Sequence, residues 1–300
     1  MLVPNRTVVR GGTQPVAPSV RRRSRARRVS DGGKRVILLL VLVALVVVFA
    51  TPLIWMVSAS LKPELEVLSP EPALLGSEVL WGNYSEAGAS LAPFFLNSVK
   101  LAALNVGGLL CFASLAGYAF ARLEFVGKGV AFALLLSTAM IPSMVYLIPQ
   151  YILFREIGWI DTHFPLWVPQ VLTPVFGTFL LRQSFKALPK ELAEAGKLDG
   201  ASTFGVFARI MLPQVKPALA AVGLLTFMQS WNDLFGPLIF LNSTRLQTMP
   251  IALALFRGEH FTQTNLMMAA ATLTILPPLL LFLLAQRYFV QGITMSGMKG

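Results

Sequence analysis

The chain has 300 residues, 55% of them hydrophobic and only 13% charged, and its mean hydropathy is +0.67. A soluble globular chain carries about 25% charged residues, so there is too little polar surface here to cover a water-soluble core, and the apolar surplus must face lipid. A soluble enzyme, a disordered regulator and a coiled coil are excluded. The net charge of +11 is concentrated at one end: residues 1–35 hold ten Lys/Arg against Asp31, while the other 265 residues carry only +2. A basic arm with Pro, Gly and Ser, set just before a long apolar run, reads as a disordered cytoplasmic tail on an anionic membrane surface rather than as a nucleic-acid footprint. Cys111 is the only cysteine, and His163 and His260 lack ligand-like spacing to any partner, so neither a disulfide nor a metal site is expected.

The first apolar run, Val36–Ser60, is 25 residues without a charge, longer than the roughly 7–15 of a cleaved signal peptide. Thirteen of its first fifteen residues are Val, Ile, Leu or Phe, which favours a spanning helix by roughly 4–8 kcal/mol. Five further runs follow, near Phe94–Tyr118, Gly129–Phe154, Phe164–Leu181, Ala218–Leu241 and Leu266–Gln286. The sequence therefore predicts an all-α integral membrane protein with six transmembrane helices. Twenty of the 25 basic residues fall in the tail, around Arg122 and Lys128, between Arg182 and Pro217, and after Gln286. By the positive-inside bias those segments, and both termini, are cytoplasmic. Pro142, Pro149, Pro169, Pro174, Pro237, Pro277 and Pro278 interrupt four of the runs, as ordinary kinks or as bends around a cavity.

The long cytoplasmic loop, about residues 188–213, reads as two short amphipathic helices with a turn between them. Pro189 suits a first helical position, Gly200 a left-handed C′ position, and Ser202 the cap of the second helix, which Pro213 limits. Leu192, Ala195 and Gly196 are expected on one face of the first helix. Phe204, Phe207, Ala208 and Met211 follow i, i+3, i+4, i+7 on the second. Such a hairpin either folds back on its own helix ends or docks a cytoplasmic partner.

Glu194-Ala195-Gly196, then Gly200, Ile210 and Leu212-Pro213 resemble, spacing included, the EAA loop of ATP-binding-cassette importer permeases. Gly196 departs from it, standing where the family has a second Ala. Islands elsewhere are similar to the carbohydrate branch, in particular to the smaller permease of maltose-type systems: Ser60-Leu-Lys-Pro63, Asn83-Tyr84, Phe95-Leu-Asn-Ser98, Trp231-Asn-Asp233, Pro237-Leu-Ile239, Thr248-Met-Pro250, Met268-Ala-Ala270, Gln286-Arg-Tyr-Phe-Val-Gln-Gly292 and Met298-Lys-Gly300. The resemblance spans about residues 55–300.

It implies a subunit of a bacterial or archaeal cytoplasmic membrane that pairs with a second, homologous permease, two ATP-binding-cassette ATPase subunits and an extracytoplasmic solute-binding protein. The hairpin would be a coupling helix seated in the ATPase, through Glu191, Glu194, Ala195, Gly196, Asp199, Gly200, Phe204, Phe207, Ile210, Leu212 and Pro213. No cofactor is expected on this chain, which lacks a Gly-x4-Gly-Lys-Ser/Thr phosphate loop; ATP and Mg would sit on the partner ATPase, and the chain would be a non-catalytic translocation subunit. The expected organisation is a tail (1–35) and a permease unit (36–300) ending in a cytoplasmic tail (287–300).

Within the spans, Gln229, Trp231, Asn232 and Asp233 combine an aromatic face, amides and an intramembrane acid, so they are candidates for the solute pathway. Asp233 has an alternative reading as a cap for the break before Gly236-Pro237. Asn97, Asn105 and Gln150 are further polar candidates, or amides that join helices. A permease for glycerol phosphate or a polyamine is the alternative within the class, and an ATP-independent secondary transporter the alternative outside it.

Overall fold

The computed structural model describes residues 25–70, 73–259 and 263–296, with side chains placed over 34–70, 73–255 and 263–287. All regular structure among them is helical. In chain order the elements are α1 (Arg25–Ser60), α2 (Glu64–Val67), α3 (Gly82–Arg122), α4 (Lys128–Thr138), α5 (Ser143–Glu156), α6 (Phe164–Leu172), α7 (Val175–Ala187), α8 (Glu191–Leu198), α9 (Thr203–Gly205), a π-helical turn Val206–Met211, α10 (Leu212–Gln214), α11 (Lys216–Trp231), α12 (Phe235–Phe240), a 3-10 turn Thr244–Leu246, α13 (Met249–Glu259) and α14 (Thr264–Ser296). Most of the basic tail, residues 1–24, lies outside the described residues, as do His260 and the Met298-Lys-Gly300 island.

Among the described residues four helices are long and apolar enough to cross a membrane: 34–60, 82–122, 164–187 and 264–287. Two bent pairs raise the number to as many as six. One pair, α4 with α5, replaces the expected third span and turns by 92° where Pro142 cannot continue the helix. The expected fifth span is also broken: its helix stops at Trp231 rather than reaching Leu241, and α12 begins only at Phe235. At the N-terminus, helix is already formed at Arg25, inside the stretch 1–35 expected to be disordered; arginine is a good helix former and here extends the strong apolar helix behind it. At the other end α14 continues to Ser296, through most of the expected tail 287–300.

Contacts divide the chain into two units, residues 1–53 and 54–300. In the first, the apolar side chains from Val36 to Phe49 are exposed, as suits a helix bathed in acyl chains. In the second, α3 is the central strut. It packs against α6, α7, α11 and α14, and where it crosses α7 small residues let the backbones approach. A Cβ added at Gly117 would lie 3.0 Å from both the Arg182 nitrogen and Leu181 Cβ; one added at Gly177 would lie 3.0 Å from Ala113 Cβ and Leu109 Cδ2. Asn97 Nδ2 donates to the carbonyls of Arg245 (2.8 Å) and Gln247 (2.9 Å). Asn105 Nδ2 donates to Ser230 Oγ (3.0 Å) and the Leu166 carbonyl (3.3 Å). Asn105 thus joins α3 to α6 and α11, while Asn97 ties α3 to the 3-10 turn and the residue after it.

The end of α1 is tied down by the residues that carried the carbohydrate-branch resemblance. Asn83 Nδ2 donates to the Ser60 carbonyl at 2.8 Å, and the Ser60 and Tyr84 hydroxyls lie 2.6 Å apart. Asn265 Nδ2 donates to the Lys62 carbonyl at 3.1 Å, and its backbone nitrogen to Glu64 Oε2 at 2.9 Å. Lys62 is buried, with its ammonium 4.7 Å from the Trp55 ring centre. Ser60–Glu64 thereby fastens the starts of α3 and α14 to one another.

The α3–α7 crossing makes a prediction. Gly117→Val forces side-chain atoms against the α7 backbone, an overpacking cost of about 1–3 kcal/mol, and lowers the thermal midpoint of the detergent-solubilised protein. Gly107→Ala, with nothing within 4 Å of the added carbon, does not lower it, since alanine is the better helix former.

Candidate functional site

The hairpin after α7 is built by local rules and then locked to the bundle. Gly200 has φ +81°, the left-handed conformation that ends α8. Ser202 Oγ accepts from the Gly205 nitrogen at 3.1 Å and starts α9. Pro189 is not the first helical residue: α8 begins at Glu191, with Lys190 as its cap. Nor does Pro213 stop the second helix, which runs to Gln214 and then turns by 79° into α11.

Which residues face inward differs from the α-helical pattern. The second helix winds as a π-helix over Val206–Met211, so Val206, Phe207 and Met211 are buried while Phe204 is 66% exposed. With its i→i+5 hydrogen bonds the wider turn brings Val206, as well as Phe207, onto the face of Met211. On α8, Gly196 is buried and Ala193 partly so, while Leu192 and Ala195 are exposed. The close neighbour of Gly196 is the hairpin itself: a Cβ there would meet Ile210 Cδ1 at 2.4 Å. The departure from alanine therefore makes room for Ile210.

The buried face forms an aromatic joint with the bundle. The Tyr118 ring at the end of α3 lies 5.5 Å from Phe185 of α7 in an edge-on arrangement and 5.1 Å from Phe207 of the hairpin. Leu181, Met211, Val215 and Val222 complete the cluster. Withdrawing Val206, Phe207 and Met211 from water is worth about 1.5–3 kcal/mol each. Arg122 adds a polar latch, its Nη2 donating to the carbonyls of Phe185 (2.6 Å) and Leu188 (2.5 Å) at the C-terminal end of α7. Tyr118 and Phe185 were not singled out by sequence reasoning, and Arg122 entered it only as a mark of the cytoplasmic side. A basic residue in the last turn of α3 was the available signal, but its acceptors lie more than sixty positions away.

The opposite face is free. Glu191, Glu194, Lys197 and Asp199 are exposed, and among them stand Leu198 (88% exposed) and Phe204 (66%). Gly200 is exposed at the turn; Ile210, Leu212 and Pro213 are half-buried on the side of the bundle. Of the expected coupling residues, Glu191, Glu194, Ala195, Asp199, Gly200 and Phe204 thus share the outward surface, whereas Gly196 and Phe207 belong to the inward one.

The four pathway candidates are not brought together. Trp231 is 1% exposed, stacked on Phe227 at 5.5 Å and edge-on to Phe95 at 5.7 Å, and its Nε1 donates to the Thr274 carbonyl at 3.2 Å. It is a packing residue between α3, α11 and α14, bordering a cavity of about 680 Å³ walled by apolar groups such as Ala102, Val106, Gly223 and Leu281. Gln229 and Asn232 are exposed, and Asn232 Nδ2 donates back to the Met228 carbonyl at 2.8 Å. Asp233 is half-buried and its Oδ1 accepts from the Gly236 nitrogen at 3.0 Å, capping the break before α12. Neighbours in a helix point in different directions, so adjacency in the chain did not make a ring-and-amide site.

A second cluster of polar groups lies where α6 begins. Asp161 has φ 58°, a conformation that Asp tolerates better than most residues. Its Oδ1 accepts from the backbone nitrogens of Asn242 (3.0 Å) and Ser243 (2.8 Å), and its Oδ2 from the Ser243 hydroxyl. The Ser243 hydroxyl, then its N–H, hold the carboxyl below the ordinary aspartate range. His163 Nε2 lies 2.8 Å from the Leu246 carbonyl, and burial holds the imidazole below its ordinary pKa.

Comparison with known proteins places this architecture. Residues 109–295 match the family model for binding-protein-dependent transport system inner membrane components. The chain is 33% identical over 264 residues to the arabinooligosaccharides transport system permease protein AraQ of Halalkalibacterium halodurans, covering 86% of this chain and 93% of that one. It is 30% identical to the trehalose/maltose transport system permease protein MalG of Thermococcus litoralis, covering 89% and 98%. It is 34% identical to the sn-glycerol-3-phosphate transport system permease protein UgpE of Pectobacterium atrosepticum, covering 77% and 85%. The fold matches a chain in the crystal structure of a bacterial ABC transporter involved in the import of the acidic polysaccharide alginate, with a TM-score of 0.72 at 20% identity, covering 89% of this chain and 98% of that chain.

Two outcomes are expected of the site. Gly200→Val strains the turn, because a β-branched residue is disfavoured at φ > 0, and it speeds hydrogen exchange across 191–214 while the long spans keep their protection. The Asp161 clip to residues 242–243 is fully present above the ordinary aspartate pKa and is lost as pH falls through the lowered value; in Asp161→Asn, exchange at the 242 and 243 amides loses that acid dependence. With the fold, the hairpin and these relatives in hand, the chain belongs to the binding-protein-dependent transport system inner membrane component family, as a membrane permease.

Proposed function

We propose that the chain is a transmembrane permease subunit of an ATP-driven carbohydrate importer. It forms half of the translocation pathway with a second, homologous permease, and couples hydrolysis on two partner ATPase subunits to alternating access. The observation that carries this reading is the two-faced hairpin. One face is bolted to α3 and α7 through Tyr118, Phe185, Phe207 and Arg122, and the other presents Leu198, Phe204, Glu191 and Glu194 to the medium. A surface of exposed apolar anchors rimmed by carboxylates suits a groove on a partner protein. A rigid attachment behind it turns partner motion into helix motion.

In this reading the hairpin is cytoplasmic, both termini are cytoplasmic, and a solute-binding protein delivers sugar to the opposite side. ATP and Mg act on the ATPases, and this chain does no covalent chemistry. Carbohydrate is favoured over other solutes by the sugar-transport relatives and by the Ser60–Pro63 and Asn83-Tyr84 islands, whose residues join in one clasp.

The test is reconstitution with a partner permease, an ATPase and a solute-binding protein. Glu194→Lys places a cation where an ATPase cation is expected, and Gly200→Pro breaks the turn. Each lowers substrate-stimulated hydrolysis and uptake by more than about tenfold, in line with the 2–5 kcal/mol of a disrupted interfacial charge pair, while membrane insertion is unchanged. Unaltered stimulation in both variants, or sugar uptake without the ATPase, refutes the assignment.

A further inference from the structure

The apolar cavity beside Trp231 offers no polar array for a solute, but a smaller recess does. It has a volume of about 360 Å³ and is bordered by Lys100, Leu104, Asp161, His163, Trp167 and Leu246, where α3 meets the start of α6. It sits far from the hairpin: from Lys100 to Arg122 along α3, at 1.5 Å per residue, is about 33 Å, roughly the thickness of a bilayer core. In the topology proposed above, it opens on the side where solute arrives.

Its polar groups differ in how far they are committed. Asp161 already receives three donors from residues 242–243. His163 is only 8% exposed and its Nε2 faces the Leu246 carbonyl at 2.8 Å. A carbonyl can only accept, so Nε2 carries the proton and, in the neutral ring, Nδ1 is left as an acceptor. Lys100 is exposed, and among the described residues no acid forms an ion pair with it. Trp167, half-buried, contributes an indole, whose flat apolar face suits the C–H face of a pyranose. A recess of this size, with an aromatic wall and a few convergent polar groups, has the makeup of a small-molecule site.

We infer that this recess is a station for an anionic sugar, seating one ring against Trp167 with its acidic substituent on the Lys100 ammonium and a hydroxyl donating to His163. The charge sign follows from Lys100 having no ion-pair partner among the described residues, whereas the Asp161 carboxylate is hydrogen-bonded by residues 242–243 and has the Arg245 cation nearby. A carboxylate and a phosphate share this chemistry, and both are tested. The inference rests on the carbohydrate-importer reading and narrows it to a substrate class and a site.

The test uses the purified whole complex in nanodiscs, without the binding protein, and reads saturation-transfer NMR of the sugar protons. The probes are methyl α-D-glucuronide, glucose 6-phosphate and methyl α-D-glucoside. One or both anionic probes are expected to bind at least about tenfold more tightly than the neutral glucoside, as a charge-assisted contact provides. Binding of the glucuronide alone assigns a uronate, of the phosphate alone a sugar phosphate. Lys100→Gln abolishes the preference, Lys100→Arg keeps it, and Trp167→Leu weakens all three probes. Equal binding of the three, no binding of any, or a preference unchanged in Lys100→Gln overturns the inference. ATP-dependent uptake by the same complex with its binding protein is measured in parallel. Neutral-sugar uptake that persists without anionic binding defeats the station alone, whereas no uptake of any sugar defeats the importer reading.

Discussion

The contact on which the arrangement depends is the joint of Tyr118, Phe185 and Phe207, latched by Arg122 on the carbonyls of Phe185 and Leu188. A hairpin of two short helices would not hold its shape in water, because helices of this length are marginal without tertiary packing. Here three elements distant in sequence converge on one aromatic cluster, so that the hairpin, the end of α3 and the end of α7 are packed as one unit. Without that joint, the exposed surface around Leu198 and Phe204 would be a tethered peptide. With it, the same surface is fixed to the bundle.

Around the joint, the structure separates stiffness from freedom by residue size. Gly117 and Gly177 draw α3 and α7 into backbone contact, which removes the side-chain gaps that would permit sliding. Asn97 and Asn105 fix α3 to carbonyls at residues 166, 245 and 247. The breaks lie elsewhere, at Pro142 between α4 and α5, at Val215 between α10 and α11, and at residues 232–234 before α12. Proline or a side-chain cap such as Asp233 stands at or beside each of them. A membrane helix can be broken only where such groups satisfy the freed backbone.

Much of this was legible from residues alone, and the failures have a common cause. Hydropathy located α1, α3 and α14 because each carries a long uncharged run, and local chemistry located the hairpin turn because Gly200 and Ser202 act on their nearest neighbours. Phe204 was put on one face with Phe207, Ala208 and Met211, yet it is exposed while Phe207 and Met211 are buried, since that pattern is compatible with an α-helix and nothing local announces a π-turn. Trp231 was a candidate for the solute pathway and is packed against Phe227 and Phe95, because a buried and a lining tryptophan look alike in a string of letters. Gly196 looked like a departure from its family until Ile210 was seen beside it. In each instance the deciding partner is remote in sequence, or the decision belongs to winding rather than to composition.

The length of α3 has a mechanical consequence. Its 41 residues would extend about 62 Å if straight, twice the hydrocarbon depth, and between Lys100 and Arg122 no proline interrupts it. A rod of that kind does not absorb torque along its shaft. Tilting its Arg122 end by a few degrees swings Lys100 and its surroundings through an arc of a few ångströms in the same instant, so the geometry of the far recess is set by the angle of the near end, and no intermediate relay is required.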